Sequence, residues 1–342
     1  MSSSISSSDA PAAVVAAAPR PAGTAAEAQS RPLAVALRTW LVVLVALVVV
    51  EMGVRAIEGR LSIDLQHIGQ ITRITRDLTN AGETTGDRTV MFLGNSLTRR
   101  GLDLDVLGTQ LAQDGVEDLA FVTVYPDDTS VLDWLYLYES KIVPAGVPDY
   151  VVIGFGIWHL EDRPASRAQT YRLGRHFTSW AQVPRLFRDD VTSLADRANV
   201  LLSKASAAFA NRERIARRVL SFLPHYQESA RMINDLQLAS LAEAGEPGPR
   251  SYERLVRLIR TVEDSGAELV LVAMPVIEDF EFDPHIQDVA LAAGADFVDA
   301  RDVPGLKAEY FEDMIHLDPA TGAPLYSQYV ADQLAPILGA SD

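Results

Sequence analysis

The segment Leu93-Gly94-Asn95-Ser96-Leu97-Thr98 places a serine hydroxyl in a turn of small residues, directly after a short apolar run. If the apolar run is a strand of a parallel sheet, Ser96 lies at the carboxyl edge of that sheet, where ligands bind. A serine hydroxyl is a weak nucleophile and needs a base within hydrogen-bond reach. The same pattern also suits a turn serine or a helix N-cap, so the segment alone does not define an active site.

A candidate base lies near the other end of the chain, in a segment that precedes the last predicted helix. Asp313 and His316 are three residues apart there. This spacing lets the carboxylate fix the tautomer of the imidazole and stabilise the imidazolium that forms when the histidine accepts a proton. In the alternative interpretation, His316 and Asp318 belong to the N-cap of the last helix.

Composition excludes several other kinds of chemistry. The chain has no cysteine, which rules out disulfides, thiolate zinc sites and a cysteine nucleophile. No His-x-x-x-His spacing occurs, so neither a metal nor another cofactor is expected. The net charge is -16, and nucleic acid is therefore not an expected partner. With 342 residues and 48% hydrophobic content, the chain can build one large core domain.

An apolar segment at residues 33–54 follows a tail, residues 1–32, which is rich in Ser, Ala and Pro and is predicted to be disordered. A bilayer core takes about 20 apolar residues. Arg38, Trp40 and Glu51 near the ends of the segment suit the two membrane interfaces. We therefore expect an uncleaved transmembrane anchor. A cleaved signal peptide and a buried core helix are the alternatives, but no clean Ala-x-Ala site follows the segment.

Basic residues flank the anchor unevenly. Arg20, Arg31 and Arg38 precede the uninterrupted apolar run from Trp40 to Val50, and Arg55 and Arg60 follow it. This small difference favours an inside N-terminus and a large C-terminal part that is extracytoplasmic, either periplasmic or on the cell surface. The opposite orientation would make the protein a cytoplasmic-facing lipid esterase.

Beyond a linking helix at residues 55–87, residues 88–342 alternate apolar runs with amphipathic segments, which is typical of a parallel sheet covered by helices on both faces. The predicted strands are Thr89–Leu93, Leu119–Tyr125, Tyr150–Phe155, Glu268–Met274 and Phe297–Asp299. The predicted helices are Leu104–Ala112, Ser130–Ser140, Tyr252–Val262, Ile286–Ala293 and Pro319–Leu338. Residues 161–248 have helical spacing only and are predicted to form a helical insertion above the ligand-binding edge.

The two motifs together resemble those of the SGNH (GDSL-type) hydrolases, in which a Gly-Asn-Ser-Leu or Gly-Asp-Ser-Leu turn follows the first strand. The matching residues are Gly94-Asn95-Ser96-Leu97-Thr98 and Asp313-x-x-His316. The resemblance implies an α/β fold of three layers, flavodoxin-like, with a parallel five-stranded sheet. It also implies that Ser96 is the nucleophile, His316 the general base and Asp313 the carboxylate that orients the base.

The oxyanion hole is where this chain departs from the family. The resemblance predicts three donors: the N–H of the nucleophile, a glycine after the second strand and an asparagine after the third. Neither the glycine nor the asparagine is present. Candidate donors or supporting groups are Asn95, the N–H of Asp127, the N–H of Gly156 and His159. Asn95 could instead hold the loop, and His159 could instead be a packing histidine. Loss of one such donor typically costs about 2.7–4 kcal/mol of transition-state stabilisation.

The expected chemistry is acyl transfer through an acyl-enzyme at Ser96. Water as acceptor would make the chain an O-acyl esterase, and a sugar hydroxyl would make it an O-acyltransferase. Membrane-anchored relatives resemble proteins that modify surface polysaccharides, so the expected partners are a cell-envelope glycan or acyl ester, the membrane and a multi-spanning membrane acyltransferase. If the altered oxyanion hole abolishes activity, the chain is instead a glycan-binding or scaffold protein of a membrane acylation complex.

Overall fold

The structure, a computed structural model, describes residues 25–226, 228, 229, 232, 250–277 and 280–340. Most of the predicted N-terminal tail lies outside these residues, as does the later part of the predicted helical insertion. The chain divides into two units, residues 1–50 and residues 51–342.

The first described element is a long apolar helix, α1 (Ala25–Ile57). Within the described residues, the segment Ala34–Arg60 is long and apolar enough to cross a membrane, with a mean hydropathy of 2.3. Its large apolar side chains are exposed to solvent, as Trp40 is at 73%. By length and composition, the helix suits either a membrane anchor or a signal sequence.

Five strands and their connecting helices form the second unit. The strands are β1 (Arg88–Leu93), β2 (Leu119–Val124), β3 (Tyr150–Phe155), β4 (Glu268–Ala273) and β5 (Asp296–Asp299). The helices before β3 are α2 (Ile63–Thr85), α3 (Ser96–Gly101), α4 (Leu104–Gln113) and α5 (Val131–Leu137). Those between β3 and β4 are α6 (Arg167–Arg172), α7 (Val183–Asp189), α8 (Leu194–Ala205), α9 (Ala207–Ala210), α10 (Arg212–Leu220) and α11 (Glu253–Asp264). After β4 come α12 (His285–Ala293) and α13 (Gly322–Leu338).

All five strands are parallel, and their order in the sheet is β2-β1-β3-β4-β5. This is the flavodoxin-like order, so the fold class predicted from the sequence is confirmed. The chain changes direction across the sheet between β1 and β3, and ligands bind at the carboxyl ends of the strands flanking such a switch point. Because β1 ends at Leu93, the serine turn lies at that switch point.

Helices cover both faces of the sheet, as the alternating side chains of β1 show. Val90 and Phe92 enter a core shared with α4 and α13, whereas Met91 and Leu93 enter a second core shared with α2, α5 and α11. All four side chains are buried. A strand with a helix layer on each side carries no polar face, which explains its uninterrupted apolar sequence.

Helix α2 occupies most of the segment predicted as a link. It begins at Ser62, whose hydroxyl accepts the N–H of Leu65 at 3.1 Å, and it ends before Gly86, which has a φ of 84°. Four apolar side chains on one face of α2 are buried in the core, namely Leu65, Ile68, Ile71 and Leu78. The helix is therefore part of the layer that covers the sheet.

Short helices between β3 and β4 form the described part of the predicted helical insertion. A buried carboxylate joins them to the rest of the unit, because Asp190 accepts hydrogen bonds from Tyr136 Oη at 2.6 Å and from Arg254 Nε at 2.8 Å. Arg257 adds a contact of 3.2 Å. The Asp190 side chain is only 1% exposed, and an ionic group at such depth needs several partners to offset its desolvation.

Candidate active site

Ser96 is the first residue of α3, and Asn95 is its N-cap. The Asn95 Oδ1 accepts the N–H of Leu97 at 2.9 Å, and the Asn95 Nδ2 donates to the Thr129 carbonyl at 3.0 Å. Asn95 therefore ties the serine turn to the loop after β2. The N–H of Ser96 has no acceptor within its own helix, as is general for the first turn of a helix.

Gly94 is required by close packing at the end of β1. It does not adopt a left-handed conformation. A Cβ at this position would lie 1.9 Å from Thr98 Oγ1 and 3.2 Å from the carbonyl oxygen of Gly154. The backbone at the end of β1 therefore packs against Thr98 and β3 so closely that there is no space for a side chain at residue 94.

Gly94→Ala is expected to lower the free energy of unfolding by about 1–3 kcal/mol, because the added methyl overpacks the turn. Gly69→Ala is the matched control. Gly69 is an exposed residue inside α2 with nothing near an added Cβ, so its substitution should stabilise the protein by about 0.5–1 kcal/mol. Urea denaturation of both variants measures the difference. Equal stabilities for the two would contradict the packing described for Gly94.

Ser96, His316 and Asp313 lie in one hydrogen-bonded chain, although 220 residues separate the serine from the histidine. The Ser96 Oγ is 2.8 Å from His316 Nε2, and His316 Nδ1 is 2.8 Å from Asp313 Oδ2. With the proton on Nδ1, His316 donates to the carboxylate and Nε2 accepts from the serine hydroxyl. These distances satisfy the geometry that general-base activation of a serine requires.

The loop before α13 holds Asp313 in place. Its Oδ1 accepts the backbone N–H groups of Ile315 and His316, at 2.9 and 2.8 Å. Burial alone would raise the pKa of Asp313, but hydrogen bonds from the His316 ring and from these two N–H groups outweigh it, and the pKa lies below its usual value. The carboxylate is therefore ionised at neutral pH, as an imidazolium partner requires.

Asp318, two residues beyond the histidine, has a different role. Its Oδ1 accepts the N–H groups of Ala320 and Thr321 at 3.0 and 2.9 Å, just before α13 begins. The N-cap of α13 is Thr321, whose side chain makes no capping hydrogen bond, so neither His316 nor Asp318 is the N-cap; Asp318 holds the turn that precedes the helix. The His316 ring contacts Ser96 and Asp313 instead.

Two of the candidate oxyanion donors already have acceptors. The N–H of Asp127 donates to Asp64 Oδ1 at 2.9 Å, and the N–H of Gly156 donates to His159 Nδ1 at 3.0 Å. Asn95 uses its side chain to hold the turn. The N–H groups of Ser96 and of Asp128, which could serve in place of Asp127, donate to no acceptor among the described residues, and both are left for a developing oxyanion.

His159 packs beside two tryptophans, with ring centroids 6.2 Å from Trp134 and 5.8 Å from Trp158. Because Nδ1 accepts the N–H of Gly156, the ring proton lies on Nε2. Burial lowers the pKa of His159 to about 4, so the ring is neutral at pH 7. Both interpretations of His159 fit this environment: an aromatic packing residue and a neutral Nε2–H donor.

Two arginines near the site were not among the residues selected from the sequence. Arg99 lies one helical turn after Ser96 on α3, and its Nη2 is 3.3 Å from Asp127 Oδ1. Arg172, at the end of α6, donates from Nη1 to the carbonyl groups of Asp127 and Asp128 at 2.5 and 3.0 Å. Helical spacing from Ser96 could have indicated Arg99. No local pattern indicates Arg172, since its position depends on how the insertion packs.

No protein-family model matches the chain, and no curated protein matches it. Among solved structures, the chain is similar to the crystal structure of TesA, with 14% identity and a TM-score of 0.36, over 73% of this chain and 99% of that one. It is also similar to the lipase Lip_vut3 from a goat rumen metagenome, with 10% identity and a TM-score of 0.32, over 71% of this chain and 96% of that one. Similarity at this level does not define the chemistry of the chain.

Proposed function

We propose that this chain is a membrane-anchored serine hydrolase or acyltransferase of the SGNH type, with Ser96 as nucleophile, His316 as general base and Asp313 as its orienting carboxylate. The observation that carries the proposal is the hydrogen-bonded chain of these three side chains at the switch point of the parallel sheet. This hydrogen-bonded arrangement brings together two segments that are 220 residues apart, with Ser96 Oγ at 2.8 Å from His316 Nε2. A serine that only stabilises a turn does not require a histidine at its hydroxyl.

In the proposed reaction, the Ser96 Oγ attacks the carbonyl carbon of an ester while His316 Nε2 takes the hydroxyl proton. The proton then passes to the leaving alkoxide, and an acyl-enzyme remains. Water or a sugar hydroxyl next attacks the acyl carbon and gives its proton to His316. That proton returns to Ser96 as the acyl group leaves. The N–H of Ser96 stabilises the oxyanion in both halves of the reaction, and the N–H of Asp128 and the Nε2–H of His159 are the candidates for a second donor.

We propose an O-acylated, hydroxyl-rich glycan of the cell envelope as substrate, with the domain on the extracytoplasmic side. One feature supports a polar substrate. A cavity of about 540 Å³ beside the loop after β2 is lined largely by charged side chains.

A second candidate function is an inactive glycan-binding or scaffold protein, in a complex with a multi-spanning acyltransferase. The observation that favours it is that two candidate oxyanion donors, the N–H groups of Asp127 and Gly156, are bound by Asp64 and His159. Without such donors a triad still activates its serine, but it stabilises the tetrahedral intermediate poorly.

A panel of aryl esters with acyl chains of different length tests the proposed enzyme. We expect the full chain to hydrolyse 4-nitrophenyl acetate with a kcat/KM at least about tenfold above that for 4-nitrophenyl laurate, since the cavity beside the loop after β2 is lined largely by charged side chains, which disfavour a long alkyl chain. Acetylated oligosaccharides, analysed for released acetate and for transfer to added sugar, then distinguish a hydrolase from a transferase. A preference for laurate would favour the lipid esterase, and no turnover of any ester by folded protein would favour the inactive binding protein.

A further inference from the structure

A cavity of about 540 Å³ opens between the loop after β2 and helices α2, α6 and α10. Its wall includes Asp127 from that loop, Arg172 from α6, and Arg214, Arg217 and Arg218 from α10. Four arginines line this cavity together with four carboxylates, those of Asp64, Asp127, Asp128 and Glu213. None of these arginines belongs to the proposed catalytic triad.

Arg172 is a buried cation in the wall of the cavity. Its side chain is 5% exposed, and its nearest carboxylate oxygen, on the exposed side chain of Asp128, is 3.8 Å from Nη2. Nη1 binds two backbone carbonyl groups, but Nε has no hydrogen-bond partner. Because Nε is enclosed by protein atoms, a ligand in the cavity would meet the positive charge of this guanidinium rather than the Nε donor.

The acidic groups of the wall are mostly committed to other partners. Asp64 accepts from Arg214 Nη2 at 3.0 Å and from the N–H of Asp127 at 2.9 Å. Asp127 itself is paired with Arg99, which lies outside the cavity lining.

The groups of the wall without an ion pair carry a net positive charge. Among the described residues, these groups are Arg217, Arg218 and Glu213, which is two positive charges against one negative charge. Both arginines are exposed, on a helix that forms the mouth of the cavity. The cavity thus has one buried guanidinium inside and two unpaired guanidinium groups at its mouth, an arrangement that attracts an anion.

The cavity shares a wall with the serine turn. Asp127 lines the cavity and contacts Arg99, which is three residues from Ser96 on α3. The same loop continues to Thr129, whose carbonyl accepts from the side chain of Asn95. A ligand held in the cavity therefore contacts the loop that pairs with α3 and holds the serine turn.

We propose that this cavity is a binding site for a sugar that carries one anionic group, a carboxylate or a phosphate. The anion binds the guanidinium groups of Arg172, Arg217 and Arg218, and sugar hydroxyl groups bind the carboxylates of the wall. Its role as a subsite that presents an ester to Ser96 rests on the proposed function, whereas the binding itself does not.

Binding is measured by calorimetry on the full chain carrying Ser96→Ala, so that the result does not depend on turnover. The probes are three trisaccharides: neutral maltotriose, tri-galacturonate and a phosphorylated maltotriose. We expect at least one anionic probe to bind about tenfold or more tightly than the neutral one. Binding of one anionic probe alone supports the site and identifies the anion. The absence of saturable binding by both anionic probes, or equal binding of all three, would overturn the proposal.

Arg217→Ser with Arg218→Ser, added to the same protein, should weaken binding of the anionic probe by about tenfold and leave thermal stability unchanged, since both side chains are exposed and unpaired. Arg260→Ser is the matched control, because Arg260 is an exposed arginine on α11 outside the cavity. The affinity should also fall as salt is raised. An unchanged affinity in the double variant, or an equal loss in the control, would refute the assignment. If the anionic probes do not bind, the parent protein is still expected to hydrolyse 4-nitrophenyl acetate. The binding site and the proposed function can therefore fail independently.

Discussion

Ser96→Ala is expected to abolish labelling of the protein by a fluorophosphonate probe and to lower kcat for 4-nitrophenyl acetate by about 10³-fold or more. The probe bonds to a serine oxygen only when a base removes the hydroxyl proton, and His316 Nε2 lies 2.8 Å from that oxygen. The N–H groups of Asp127 and Gly156, two candidate oxyanion donors, are bound by other groups of the protein. The rate that remains after the nucleophile is removed should therefore be small.

Ser193→Ala is the control for this experiment. Ser193 is an exposed serine that caps α8, far along the chain from the triad. Its loss should cost some stability, typically about 1 kcal/mol for a cap, and leave labelling and kcat unchanged. Thermal unfolding should show that Ser96→Ala is folded, since the substitution removes one hydroxyl and no packing. Labelling that persists in Ser96→Ala would refute Ser96 as the nucleophile.

The fold, and the meeting of Ser96, Asp313 and His316, could be predicted because the sequence signals for them are local. Apolar strands between amphipathic helices identify a parallel sheet covered on both faces, and the turn after β1 must then lie at its carboxyl edge. The meeting of Ser96 with His316 follows from that topology once the last helix is known to pack beside the first strand. Helices α4 and α13 share a core with Val90 and Phe92 of β1, which brings the loop before α13 to the serine turn.

The oxyanion donors could not be predicted, because tertiary contacts decide which N–H groups are available. Asp64, on α2, takes the N–H of Asp127 although 63 residues separate them. The segment containing Asp64 was interpreted as a link, even though Leu65, Ile68 and Ile71 on the same helix show the spacing of a buried face. Recognising that face would have placed Asp64 near the loop after β2.

The contacts that the helical insertion makes with the site could not be predicted either. Its helical character is visible in the sequence, but a helix pattern does not say which side chains turn toward the site. Arg172 belongs to a short helix of ordinary composition, and its contacts with the loop after β2 arise only from packing.

Asp313→Asn is expected to lower kcat by about 10⁴-fold while the protein stays folded. The asparagine oxygen can still accept the N–H groups of Ile315 and His316, so the loop before α13 keeps its shape. The amide is neutral and cannot stabilise the imidazolium that forms when His316 takes the serine proton. It also permits the tautomer with the proton on Nε2, which cannot act as a base toward Ser96.

Asp318→Asn is the matched control, because this aspartate also accepts backbone N–H groups beside the triad but does not contact the His316 ring. The asparagine oxygen can accept the N–H groups of Ala320 and Thr321 as the aspartate oxygen does, so both stability and kcat should remain close to those of the parent protein. The kcat for 4-nitrophenyl acetate across pH 5–9 distinguishes the two variants. A kcat for Asp313→Asn within about tenfold of the parent would mean that Asp313 positions the loop rather than the imidazole, and His316 would then need another group to stabilise its charge.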